Sequence, residues 1–358
     1  MNYGHLFTTI VLVLLVSCTH IGPKTVTRDR FDYNTAIADS WKEQTLLNIV
    51  KLRYADMPLF VEVASVVSGY TLEGSVDLGG TVSSKSAVQG DFFSLGTAGK
   101  FTDRPTITYA PITGSKFNES FMTPIPPKSI LFLMQTGWPV DVIFPITVDA
   151  INGLRSRKVG GASARLGDSE FYRVIVLLRG IQNSGAVGMR IVKGEDQKET
   201  TVMFFHRKNM SAEIAASLSE VRRLLGLKPN GDELTVTYGN IPETDRELAM
   251  LTRSMMQIMV ELAIQIDVPS QHVKEGRTIP TMAADASGEE KIGQLIKIHS
   301  TIDAPQHAFV AVKFKNFWFW IDDRDFHSKR TFTFLMILFS LTEKGSGQDL
   351  PLVTIPSN

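Results

Sequence analysis

"TLEGSVDLGGTVS", residues 71–83, alternates apolar and polar positions along its whole length. Leu72, Gly74, Val76, Leu78, Gly80 and Val82 fall in one set, and Thr71, Glu73, Ser75, Asp77, Thr81 and Ser83 in the other. A period of two marks a pleated strand with one greasy and one wet face. The pattern extends back through Val61, Val63 and Ser65. A Ser/Gly-rich piece (83–100) then leads to "RPTITYAPITG" (104–114), whose Ile107 and Tyr109 suit a returning strand. The stretch predicts an antiparallel hairpin over 60–110. Two uses of it stay open: an edge hairpin over a domain core, or one subunit's share of a membrane-spanning barrel, because such strands need only about 9–11 residues with apolar positions facing lipid.

Working outward, helices surround this hairpin. Asp32 to Tyr54 has no Gly or Pro and carries Leu46, Leu47, Val50 and Tyr54 at helical spacing, with Asp32 as N-cap and Pro58 as a stop. Pro124, Pro126, Pro127, Pro139 and Pro145 punctuate 117–157, which predicts short helices, one at Lys128–Thr136, and a strand over Ile146–Leu154. "SRKVGGASARLG" (156–167) reads as a linker or surface loop. Beyond it the order is a helix over 169–182, strands at 186–192 and 201–206, a Ser211-capped helix ended by Gly226, and a strand at 234–238.

Thr244 and Glu247 have the spacing of a capping box, and Leu248, Leu251, Met255, Met259, Leu262 and Ile266 form an apolar stripe up to Pro269, predicting one long helix. Strands follow at 291–299, 307–314 and 317–321, the last two joined by a Lys315–Asn316 turn, then a helix over 328–342 and a strand at 351–355. Residues 169–238 read α-β-β-α-β and 244–355 read nearly the same, so an internal duplication is one reading. Strands mixed with helices, rather than alternating strictly, predict an α+β fold with mainly antiparallel sheets, an N-terminal helix and a protruding hairpin.

The N-terminus predicts an address. Leu6–Val16 (LFTTIVLVLLV) is an apolar run of signal-peptide length, well short of the ~20 residues of a membrane-spanning helix. Leu15, Val16, Ser17 and Cys18 resemble the lipobox of bacterial lipoprotein signals, in which the cysteine is joined to diacylglycerol and its new amino terminus acylated. Cys18 is the only cysteine of 358 residues, which leaves no disulfide and no thiolate metal site. A buried unmodified thiol and an uncleaved N-terminal anchor are the alternatives. MNYGH carries no Lys or Arg, unlike most such signals. Thr19 and His20, rather than Asp, follow the cysteine, which by the same resemblance favours the outer membrane. The chain then divides into a signal peptide (1–17), a lipidated cysteine and polar tether (18–30), a helix, hairpin and Pro-rich region (31–155) and an α+β periplasmic body (168–355).

Chemistry is sparser. The 37 basic and 37 acidic side chains balance, so no basic excess points to nucleic acid, and the 43% hydrophobic content is enough for one large core or two moderate ones. G-x-S-x-G, S-x-x-K with a later K-T-G, H-E-x-x-H and the P-loop are all missing. None of the seven histidines shares a helix face with another at i, i+4, and His299 and His307 flank a turn across which they can approach one another. Asp322, Asp323 and Asp325 form the densest acidic cluster. They read as caps of the following helix neutralised by Arg324 and Lys329, with a calcium loop or a hydrolase site as alternatives. "NFWFWI" (316–321) places Phe317 and Phe319 on one face and Trp318 and Trp320 on the other. It is either a central strand or a strand with a tryptophan docking face. No cofactor and no metal is expected.

Three stretches, "LLNIVKLRYADMPLF" (46–60), "DRPTITYAPITGSKF" (103–117) and "FWIDDRDFHSKRTFTFLMILFSL" (319–341), resemble a group of uncharacterised predicted bacterial lipoproteins of the outer membrane. The resemblance implies the address and brings no activity with it. The expectation is a non-enzymatic lipoprotein on the periplasmic face of a Gram-negative outer membrane. It is held by its lipid and acts in structure or assembly through an envelope protein partner. An oligomeric ring or pore component of an export system is the alternative, with a homo-oligomer as its form.

Overall fold

The computed structural model describes residues 21–67, 70–81, 92–158, 165, 167–193, 199–206, 210–281 and 294–342. The apolar leader, Cys18 and the expected strand at 351–355 lie outside the described residues. The described residues divide into two compact units, 21–58 with 113–342, and 59–112. The fold is α+β.

The first unit opens with α1 (Ile21–Arg53). It begins earlier than the Asp32 cap predicts, so 21–30, expected as a tether, is helical. Pro23 is compatible because the first-turn amides have no intrahelical acceptor in any case. Only its second half is well covered: Leu46, Ile49 and Val50 are fully buried, whereas Phe31 is 67% exposed.

In the second unit β1 (Val61–Val67) pairs with β4 (Thr106–Pro111), and β2 (Tyr70–Thr81) with β3 (Phe92–Asp103), both antiparallel. The expected hairpin is therefore there, but the Ser/Gly-rich piece contributes a full strand and "TITYAP" returns against β1, not β2. Val67 opposes Thr106 and Tyr70 opposes Asp103, so one register runs through both pairs. A bulge at Ala64, between Val63 and Ser65, is the one interruption within β1.

The remaining elements belong to the first unit. They are α2 (Gly114–Phe117), a π turn (Asn118–Met122), α3 (Pro127–Gln135), α4 (Val140–Thr147), β5 (Val148–Ile151), β6 (Leu154–Arg155), α5 (Ser169–Asn183), β7 (Val187–Lys193), β8 (Glu199–Phe205), α6 (Ala212–Leu224), β9 (Glu233–Tyr238), β10 (Glu247–Thr252), α7 (Met255–Ala263), α8 (Ser270–Lys274), β11 (His299–Thr301), β12 (Ala308–Phe314), β13 (Phe317–Asp322) and α9 (Phe326–Thr342). A six-stranded sheet has the order β6-β5-β10-β9-β8-β7, and a three-stranded antiparallel sheet the order β11-β13-β12. β5 and β6 thus pair into the same sheet as the strands beyond residue 168. Only β9 and β10 run parallel in it.

The long helix expected from Thr244 is corrected. Residues 247–252 form the strand β10, held between β5 and β9 with Leu248, Ala249 and Met250 buried. A strand covered on both faces is apolar throughout, and its leucines match a helical stripe by coincidence of spacing. The Glu247 carboxylate accepts from Thr237 Oγ1 and from Glu243 N at 2.8 Å instead of closing a capping box. The real box is Ser254 with Gln257, at the start of α7. The elements from 247 onward run β-α-α-β-β-β-α, so the α-β-β-α-β order of 169–238 does not repeat.

α1 and α9 pack on the three-stranded sheet and α1 also on α7, while α3, α4 and α5 pack on the six-stranded sheet. In α9, Phe332, Phe334, Leu335 and Leu338 are fully buried, and Phe339 and Phe334 pack on Phe121 and Trp138 at centroid distances of 5.4 and 5.0 Å. Among the described residues no helix is long and apolar enough to cross a membrane.

Candidate functional site

The acidic turn joins β13 to α9, and each of its carboxylates has a neighbour to hold. Asp322 Oδ1 accepts from Arg324 N at 2.9 Å and Nε at 3.1 Å, and Oδ2 from Nη2 at 2.9 Å. The guanidinium of Arg324 and its amide hold the Asp322 carboxyl down at about 2. Lys329 Nζ donates to Asp323 Oδ1 at 2.6 Å and to its carbonyl at 2.9 Å. Asp325 Oδ1 accepts from Ser328 N at 3.1 Å and Oδ2 from Ser328 Oγ at 2.6 Å, the geometry of an N-cap on α9. Partial burial opposes ionisation of Asp325, but the Ser328 bonds outweigh it and lower its pKa. Ser328 Oγ also accepts from Lys297 N at 2.8 Å, which ties the cap to the segment leading into β11. Among the described residues no three His, Cys, Asp or Glu side chains converge as a metal site requires.

β13 is the central strand of its sheet. Phe319 and Ile321 are fully buried on one face, and Trp318 and Trp320 are half-buried on the other. Trp320 pairs across the ladder with His299, their ring centroids 4.7 Å apart. The expectation that His299 and His307 approach one another is corrected. His299 opens β11 and His307 immediately precedes β12, and β13 lies between these two strands, which puts them about 10 Å apart at ordinary strand spacing. His299 instead faces Asp267, with Nδ1 to Oδ2 at 3.8 Å. Cys18 lies outside the described residues.

Two polar centres escape sequence reasoning. The first is Arg253, which is 4% exposed and directly follows β10. Its Nη1 donates to the carbonyls of Pro145 (2.8 Å) and Ile146 (3.1 Å), and its backbone N to that of Thr147 (2.8 Å). One residue thereby satisfies three carbonyls left open at the C-terminus of α4, where a cation also meets the negative end of the helix dipole. Nη2 donates to Ser156 Oγ at 2.6 Å and Arg157 O at 2.9 Å, and Asp149 Oδ1 stands 3.6 Å away, itself bound by Arg165 at 3.0 Å. Burial pulls the Arg253 pKa below its ordinary value, while Glu261 and Asp149 oppose that shift. A lone arginine behind an apolar run is the only signal for it.

The second centre is Tyr54, whose hydroxyl and His272 Nδ1 share a 2.7 Å hydrogen bond within a shell of Phe314, Phe317 and Phe319. Burial pushes the Tyr54 phenol up to about 12. It also lowers the His272 pKa, as do Arg277 and Lys315.

A recess of about 200 Å³ lies beside the Arg253 centre, lined by Met122, Tyr238, Leu251 and Met256 with Asp149, Ser254 and Gln257 among its polar groups. Ser254 Oγ is engaged in capping Gln257 N and Asp149 is paired with Arg165, so these groups are structural before they are reactive. The recess is smaller than the ~300 Å³ at which ligand pockets usually begin. Comparison of the chain with protein-family models, with curated proteins and with solved structures finds no match.

Proposed function

We propose that this chain is a lipid-anchored protein of the cell envelope, held through Cys18 on the periplasmic face of the outer membrane, whose α+β body works by protein contact and not by catalysis. The observation that carries the reading is the apolar run Leu6–Val16 ending in Leu15-Val16-Ser17-Cys18, with no other cysteine in the chain. Several acyl chains on one residue suffice for stable anchoring, since each buried CH₂ contributes about 0.8 kcal/mol and a single chain holds only marginally. The protein-contact role draws support from the polar centres of the body. Arg253, Asp322, Asp323 and Asp325 all complete helix ends or ion pairs, which is the work of a scaffold.

Metabolic labelling with radioactive palmitate, followed by membrane fractionation, tests it. The wild-type chain takes up label and sediments with outer membranes; Cys18→Ala takes up none and is either released or retains its leader. Unlabelled wild type, or equal membrane retention of the two, overturns the address.

A further inference from the structure

We infer that the β2–β3 ribbon is a membrane-spanning element that pairs edge to edge with the same ribbon of further copies of this chain, closing a β-barrel whose outer face is the alternating apolar set of residues. This goes beyond the anchoring reading and does not rest on lipidation.

Four observations carry it. Both strands are twelve residues long and paired from end to end without a bulge. At about 3.3 Å per residue each spans about 40 Å, and a tilt of about 40° reduces this to about 30 Å, the hydrocarbon thickness of a bilayer. The register then sorts the residues by face: Leu72 opposes Phe101, Val76 opposes Thr97, Leu78 opposes Leu95 and Gly80 opposes Phe93, whereas Glu73 opposes Lys100 and Asp77 opposes Gly96 in the other set. Glu73, Ser75, Asp77 and Lys100 are exposed. Aromatic residues of the apolar set stand at both ends of the ribbon in sequence, Tyr70 and Phe101 at one and Phe93 at the other, where interfacial girdles of membrane strands lie, while Phe92 opposes Thr81 in the polar set. Finally, among the described residues β2 and β3 form a sheet of two strands only, with no third strand laddered on either outer edge.

The last point selects the partner. A two-stranded ribbon is marginal in water, and its open edges cannot enter hydrocarbon, where every backbone N–H and C=O needs a partner. An identical ribbon offers equal strand length and the same apolar-polar alternation on both of its edges. Closure needs about eight strands at the least, so about four copies or more.

The test uses the purified full-length protein reconstituted into phosphatidylcholine–phosphatidylglycerol vesicles. Val76→Cys, Leu78→Cys, Ser75→Cys and Asp77→Cys are each labelled with a polarity-sensitive fluorophore. The wild-type chain carried through the same labelling reports on Cys18, so failure of the anchoring reading appears separately, as label on wild type. The expected result is blue-shifted emission at 76 and 78, quenched severalfold by nitroxide-bearing lipid, with water-like unquenched emission at 75 and 77. Native mass measurement after detergent extraction gives particles of at least about four chains. Circular dichroism checks that each variant is folded, and positions 76 and 78 stand in for one another if one is not. Monomers in detergent, or equal emission at 76 and 77, overturn the inference. Ribbons that oligomerise in water or lie against another protein leave 76 and 78 unquenched by lipid, and overturn it equally.

Discussion

Tyr54, at the end of α1, and His272, in α8, are 218 residues apart in the chain and share a buried hydrogen bond of 2.7 Å. His272 is 2% exposed, and burial first, then Arg277 and Lys315, lower its pKa from the ordinary 6.5, with Glu275 opposing. Below pH 6.5 the unfolded chain therefore binds a proton that the folded chain resists. Stability contributed by neutral His272 is present above pH 6.5 and is lost as pH falls toward the lowered folded value. Urea titrations from pH 8 to 5 should show this decline in wild type and a flatter profile in His272→Gln. Tyr54→Phe should cost about 1–3 kcal/mol at pH 8, because the imidazole nitrogen is left without its partner.

Arg253 makes four side-chain hydrogen bonds from a position that is 4% exposed. It serves the carbonyls of Pro145, Ile146 and Arg157 and the hydroxyl of Ser156 at once, and a lysine ammonium has neither the reach nor the fork to serve them together. Arg253→Lys should destabilise nearly as much as Arg253→Met, with losses of about 3–5 kcal/mol in chemical denaturation. A lysine variant within about 1 kcal/mol of wild type, on the order of a surface change, would contradict the capping role.

The turn at Asp322–Asp325 should respond to acid and not to calcium. The Asp322 pKa is lowered from 3.8 to about 2, so its contribution is present above pH 3.8 and is lost as pH falls through about 2. Asp322→Asn should flatten acid unfolding in that window. Asp325→Ala should cost about 1 kcal/mol by loss of the α9 cap. Calcium added to wild type should leave Tm unchanged, since Arg324, Lys329 and Ser328 already engage the carboxylates. A rise in Tm on adding calcium counts against this account.

What is legible in the sequence follows from how much of each element faces water. α5 and α6, with one buried face and one wet face, are predicted to within a residue or two, and so are β12, β13 and their turn. β10 is misread because none of its positions is fully exposed, and period is a weak guide when most positions are buried. β3 escapes for the opposite reason: "FFSLGTAGKFTD" is rich in Gly, Ser and Thr, and its register with β2 specifies it better than its own propensity does. Of the polar sites, the acidic turn lies within four residues and is visible as a cap. Arg253 and the Tyr54–His272 pair join segments about 100 or more residues apart, and no local pattern encodes such a meeting.

Two asparagines in turns should respond oppositely to the same substitution. Asn152 and Asn316 both hold positive φ, 44° and 69°, in the tight turns between β5 and β6 and between β12 and β13, where glycine relieves steric cost. Asn316 makes no side-chain hydrogen bond among the described residues, so Asn316→Gly should be neutral or stabilise by a few tenths of a kcal/mol. Asn152 does more than turn the chain: its Nδ2 donates to the carbonyls of Leu225 (2.9 Å) and Glu247 (3.1 Å), and its Oδ1 accepts from Ala249 N (2.7 Å). That side chain fastens the end of α6 and the strand β10 to the β5–β6 turn. Asn152→Gly keeps the backbone and leaves these groups unpaired beside the core, and should cost about 2 kcal/mol or more. Paired thermal melts of the two variants decide it: equal shifts would mean that φ alone governs both positions.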